Sequence, residues 1–315
     1  MNPGYTKALH LLPFDHRDSF VKKMFHFEFP LTSEQHQEVV ECKRIIYDGL
    51  LASIGTNESK QYAGILVDEQ FGRDILVDAA KRDLVTALSV EKSGGEEFEF
   101  EYGLDFAAHI ETFKPTFAKV LVRFNPEGDS ALNQRQLDKL LTLSAYCQKK
   151  NQRLMFELLV PATKAQLGWY HADVNAYDKK CRPGLMEQAI CTVQDAGIEV
   201  DVWKIEGLDS PVDCQNIVAA ARRNGRDQVS CIVLGRGADE KKITEWLACA
   251  GSVPGFIGFA VGRTTFWDAI EDLVAKKIVR QVAISRIAQR YRMWVNAFAQ
   301  AQGIISKSSL TKATQ

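Results

Sequence analysis

Apolar residues along the chain gather into eight short runs. They are ALHLLPFD (8–15), YAGILVD (62–68), LVTALSVEK (84–92), TFAKVLVRF (116–124), QRLMFELLV (152–160), IEVDVWKIE (198–206), VSCIVLG (229–235) and GFIGFAVG (255–262). Their near-continuous apolar character fits parallel strands covered on both faces. Most of the stretches between them have helical spacing instead. In SEQHQEVVECKRIIYDGLLAS (33–53), Val39, Val40, Ile45, Ile46 and Leu50 recur near a 3.6 period, behind a cap-like Thr32-Ser33-Glu34-Gln35. Residues 133–151 and 183–196 repeat the pattern. Strand and helix alternating eight times predict an α/β chain, a single (β/α)8 TIM barrel. A doubly wound open sheet fits less well, because no G-x-G-x-x-G turn follows the first run, where the chain reads FDHRDSF. Residues 267–303 predict a long helix or helix pair, a C-terminal helical extension to the barrel. No linker rich in Pro, Gly or Ser divides the chain, so one domain is expected over 1–305, with 306–315 a flexible tail.

Composition narrows the function classes. The 315 residues are 46% hydrophobic and 25% charged with formal net charge −1, and no basic domain points to nucleic acid. No run reaches the roughly 18 apolar residues of a membrane span. The start, MNPGYTKALHLLPFDHRD, lacks a signal-peptide pattern. Seven scattered cysteines without a C-x-x-C predict reduced thiols and a cytoplasmic protein. The long C-terminal helical region suits a homo-oligomer.

The informative charges are those inside the apolar runs. Lys119 interrupts TFAKVLVRF, Glu157 interrupts LMFELLV and Lys204 sits in VDVWKIE, on successive strands four, five and six. Each lies in the middle or last part of its strand, nearest the face where such barrels place their chemistry. A buried ammonium is costly unless paired. Desolvation and a neighbouring ammonium both lower a lysine pKa, so two lysines and a carboxylate converging at the barrel mouth can keep one amine neutral and nucleophilic. Strand seven ends in Gly235-Arg236 and strand eight in Gly262-Arg263. Glycine lets backbone N–H groups approach an anion and arginine binds phosphate through two donors, which predicts a phosphate subsite there. Asp15, His16 and Arg17, after strand one, are placed to orient a hydroxyl or carboxylate. The six histidines form no metal-binding motif, so no metal is expected. Long loops after strands three (91–105) and five (163–184) border the same face, and the second carries Trp169, Tyr170 and Tyr177, which fit a lid or equally core or interface packing.

The motifs FDHR, VDEQFG, VEKSG, AKVLVRFNPEG, LMFELL, VDVWKIEG and GRTTFWDAI together resemble the class I tagatose-1,6-bisphosphate aldolase family over roughly residues 8–270. Within that group the chain is most similar to the aldolase-like barrel domain joined to 5-dehydro-2-deoxygluconokinase in myo-inositol breakdown. The resemblance implies a metal-free barrel with no cofactor beyond a covalent lysine Schiff base. By it Lys204 forms the Schiff base, Glu157 transfers protons and Lys119 supports the site. The resemblance and the residues together lead us to expect retro-aldol cleavage of a phosphorylated keto sugar acid, and the strand-end reading puts Arg236 and Arg263 on the phosphate and Arg17 or Arg123 on the carboxylate. Two other functions fit: a tagatose- or fructose-bisphosphate aldolase, and a non-catalytic sugar-phosphate-binding partner of a carbohydrate kinase. The chain departs from the family at strand seven, where Gly235-Arg236 stands in place of a serine-type phosphate loop.

Overall fold

In the computed structural model, which describes residues 3–54 and 61–304, eight parallel strands close into a barrel in sequential order. They are β1 (Leu9–Pro13), β2 (Ala63–Val67), β3 (Val85–Ser89), β4 (Phe117–Arg123), β5 (Arg153–Leu159), β6 (Val202–Glu206), β7 (Ser230–Leu234) and β8 (Phe256–Ala260). The TIM barrel expected from the alternation is therefore present. The tail expected over 306–315 lies outside the described residues.

Strand periodicity sorts the side chains into two cores. Phe117, Met155, Val202 and Ile232 point inward and fill the barrel with Leu9, Leu11, Leu66 and Ala87. Their sequence neighbours Ala118, Phe156, Trp203 and Val233 point outward and pack under the helices. Successive strand residues alternate faces. Lys119, Glu157 and Lys204 stand two residues beyond Phe117, Met155 and Val202, so they too face the interior, one layer nearer the C-terminal mouth. At the seam Gly258 is required by close approach: a Cβ there would meet the Leu9 carbonyl oxygen at 1.8 Å.

Several helix starts are fixed by side-chain caps. Thr32 and Gln35 form a reciprocal capping box at the helix Ser33–Ser53, as the sequence predicts. Asp129 caps Ser130–Lys150, which starts that helix three residues earlier than the 133–151 pattern. The insertion after β5 folds into two short helices, Lys164–Trp169 and Val174–Lys180, before the helix Arg182–Asp195. The C-terminal region is a helix pair, Arg263–Val274 and Arg280–Ala301. The second member packs against both Ser33–Ser53 and Glu240–Gly251, completing the outer ring beside the β1–β8 seam.

Candidate active site

The mouth of the barrel holds a cavity of about 320 Å³. Its floor is a charge cluster built by five strand ends. The Lys119 Nζ lies 2.7 Å from Asp15 Oδ2, 2.7 Å from Glu91 Oε1 and 2.8 Å from Glu157 Oε2. The other oxygen of Glu157 pairs with Lys204, its register partner on β6. Glu157 thus joins the two ammonium groups, one on each oxygen. Lys119 is fully buried and Lys204 is 3% exposed.

Two ammonium groups meet three carboxylates here, and the surroundings separate the lysines. For Lys119 burial disfavours the charged form, but Asp15, Glu157 and Glu91 together outweigh it and hold its pKa well above the ordinary value. For Lys204 burial dominates; Glu157 opposes it, the charge of Lys119 reinforces it, and the pKa falls. Lys119 is a fixed cation, whereas Lys204 is the amine that gives up its proton more easily. Burial would raise the Glu157 carboxyl, yet Lys119 and Lys204 keep its pKa low, so it rests as an acceptor. Asp15 is likewise held low, mainly by Lys119 acting against burial. His16 lines the same cavity, and burial pushes its pKa down to about 4, so it is a neutral imidazole at pH 7.

The candidate arginines divide by partner. Arg17 is buried, its Nη1 donating to Glu101 Oε2 at 2.7 Å and its Nη2 to the Glu91 carbonyl. It braces the β1 and β3 ends against each other. Arg123, at the tip of β4, donates among the described residues only to the Gly95 carbonyl, at 2.8 Å. Gly235, Arg236, Gly262 and Arg263 also line the cavity. Arg236 is ion-paired with Asp178 at 2.6 Å and Glu206 at 3.0 Å. Arg263 donates to the Arg236 carbonyl at 2.9 Å. Among the described residues, Arg123 and Arg263 are the cavity arginines without a carboxylate partner. They stand on opposite walls, four strands apart around the ring, with Lys204 on the strand midway between.

Sequence reasoning missed Glu91 and Glu206. Both are buried, at 7% and 3% exposure. Glu91 is the second residue after β3, and Ser89 Oγ donates to it at 2.9 Å. Its position at a strand end was the available signal. Glu206 reads as a strand terminator, but its parity with Lys204 turns it inward, where it accepts from the Val160 N–H at 3.0 Å. Of the aromatic residues that fit a lid or packing, Tyr177 is buried and donates to the Val160 carbonyl at 2.9 Å, while Trp169 is 62% exposed.

A family profile described as "Uncharacterized protein conserved in bacteria (DUF2090)" matches residues 2–302. Fructose-bisphosphate aldolase from Plasmodium falciparum superposes with a TM-score of 0.63 at 14% identity, over 97% of this chain and 99% of that one. An archaeal fructose 1,6-bisphosphate aldolase gives 0.54 at 14% identity, over 93% of each chain. Cgl0159 from Corynebacterium glutamicum gives 0.54 at 16% identity, over 92% of this chain and 87% of that one. At these identities the likeness is one of fold. No curated protein matches the chain.

Proposed function

The chain belongs to the family described as uncharacterized proteins conserved in bacteria (DUF2090), and for it we propose the activity of a Schiff-base aldolase acting on a phosphorylated keto sugar acid. One observation carries the reading: Lys204 is buried with its pKa lowered, and it shares the Glu157 carboxylate with a second lysine that stays charged. That arrangement supplies an amine nucleophile, a proton acceptor in contact with it and a fixed positive charge beside both.

The amine of Lys204, after passing a proton to Glu157, adds to the substrate ketone to give a carbinolamine. Loss of water leaves an iminium, the oxygen departing with a proton returned by Glu157. The carbon–carbon bond then breaks as Glu157 takes the proton from the hydroxyl on the far carbon. The bonding pair moves into the iminium, giving an enamine and an aldehyde. Protonation of the enamine carbon and hydrolysis release the ketone product and restore Lys204. Lys119 remains charged throughout and stabilises the oxygen that develops negative charge.

The walls suit a substrate with an anion at each end. The helix Arg263–Val274 begins at Gly262 without a side-chain cap, and Gly262, Arg263 and Thr264 line the cavity, so the positive end of the helix dipole lies beside Arg263, an arrangement favourable to phosphate. Arg123, across the mouth, is a cation for the second anion, whereas Arg17 is already held by Glu101. A carboxylate there corresponds to 5-dehydro-2-deoxy-6-phosphogluconate, cleaved to dihydroxyacetone phosphate and malonate semialdehyde. A second phosphate corresponds to tagatose or fructose bisphosphate, and relative turnover separates the two.

Borohydride reduction in the presence of dihydroxyacetone phosphate tests the proposal. The expected result is one irreversible adduct, mapped to the peptide bearing Lys204. An adduct on another lysine, or full turnover after Lys204→Ala, would defeat it.

A further inference from the structure

Resting on that phosphate subsite, we propose that Arg236 is a positioning residue rather than a phosphate ligand. Asp178, reaching in from the segment after β5, holds Arg236 so that its backbone carbonyl fixes the Arg263 guanidinium at the subsite.

The side chain of Arg236, 36% exposed, is paired with two carboxylates. Its Nη1 donates to Asp178 Oδ2 at 2.6 Å, and its Nε lies 3.0 Å from Glu206 Oε1. Neither acid is free to leave at low cost. Asp178 Oδ1 also accepts from Arg182 Nε at 3.0 Å, and Arg182 donates onward to the Gly207 carbonyl at 2.9 Å. Glu206 is 3% exposed and takes the Val160 N–H with its second oxygen. A phosphate approaching Arg236 would meet two negative charges already paired with it.

The backbone of Arg236 performs a different task. Its φ is +51°, in the left-handed region that disfavours side chains other than glycine. This conformation turns its carbonyl to accept from Arg263 Nη2 at 2.9 Å. Gly237 follows with φ +76°, and a Cβ there would come within 2.7 Å of Arg263 Nη2. The Arg263 guanidinium therefore lies on bare backbone. Thr264 adds a second tie, donating to the Ala238 carbonyl at 2.7 Å. The loop after β7 and the start of the last barrel helix form one unit, latched from outside through Asp178. The sequence feature that departs from the resembled family, an arginine after strand seven, thereby becomes the anchor of the phosphate loop.

The test is the affinity for dihydroxyacetone phosphate, measured by calorimetry on wild type, Asp178→Asn, Arg236→Gly and the double variant, with unphosphorylated dihydroxyacetone as the control ligand. Glycine at 236 keeps the carbonyl and adopts the left-handed conformation readily. Each single variant should weaken dihydroxyacetone phosphate binding by about three- to tenfold, and the double variant by no more than either. Dihydroxyacetone binding should not change, and KM should rise while kcat stays within about twofold. Tighter binding by Asp178→Asn overturns the proposal, because it would mean that the carboxylate competes with phosphate for Arg236. A loss of a hundredfold or more in Arg236→Gly overturns it as well, since that is the signature of a direct ligand. A wild type that binds dihydroxyacetone but gains nothing from the phosphate instead removes the subsite on which the inference stands.

Discussion

Glu157 holds Lys119 with one carboxylate oxygen and Lys204 with the other, so replacing either neighbour changes the charge that Lys204 feels. In Lys119→Met, Lys204 loses a repelling cation while Asp15 and Glu91 lose their partner. Its pKa should rise, and the acid limb of the pH–rate profile for borohydride trapping should move to higher pH. In Glu157→Gln the anion that favours the charged form is gone, so the limb should move to lower pH. The rate at its plateau should nevertheless fall by about 10²–10⁴-fold through loss of proton transfer. Limbs that move in the same direction would contradict the assignment of Lys204 as the titrating amine. Removing Lys119 should also destabilise the fold by about 3–5 kcal/mol, because it leaves buried carboxylates unpaired. Lys119, Glu157 and Lys204 were legible because a charge inside an apolar run stands out. The pairing of Arg236 with Asp178 was not. The two are 58 positions apart, and Asp178 sits in a polar insertion where one more carboxylate carries no signal.

At the scale of elements, strand positions were legible to within a few residues, since strands covered on both faces leave little choice of side chain. β6 is the exception and begins at Val202 rather than at 198. Just before it Asp201 ties the lower rim, its carboxylate accepting from the Gly4 N–H at 2.7 Å and the Leu154 N–H at 2.8 Å. The other end of β6 depends on a single glycine. A Cβ on Gly207 would come within 2.1 Å of the Trp246 ring, whose Nε1 donates to Asp209 at 2.8 Å. Gly207→Ala should therefore force the helix Glu240–Gly251 away from the strand that carries Lys204, costing about 1–3 kcal/mol. Urea unfolding reads this directly, and unchanged stability would show that the helix shifts without penalty. The short helices after β5 were not legible, because six and seven residues do not establish a period.

For the whole molecule, closure was legible from the count of eight alternations, but the role of the C-terminal helices was not, because a period gives a helix without its neighbour. Helix Arg280–Ala301 seals the seam between β1 and β8, where Tyr291 donates to the His10 carbonyl at 2.8 Å and Phe298 meets the His10 ring edge-on. The imidazole also stacks on Phe259 with centroids 4.9 Å apart. Burial pushes the His10 pKa from 6.5 down to about 4. The folded protein therefore refuses a proton that the unfolded chain accepts. This contribution to stability is fully present above pH 6.5 and is lost as pH falls through that value toward 4, where it is gone. The pKa difference corresponds to about 3 kcal/mol at full extent. Substituting phenylalanine keeps the stacking and removes the titration. Melting wild type and His10→Phe between pH 7.5 and 4 should show the variant losing less stability on the acid side, by about that amount. Parallel pH curves for the two proteins would mean that the ring takes up its proton without opening the seam, and that the last helix does not depend on a neutral His10.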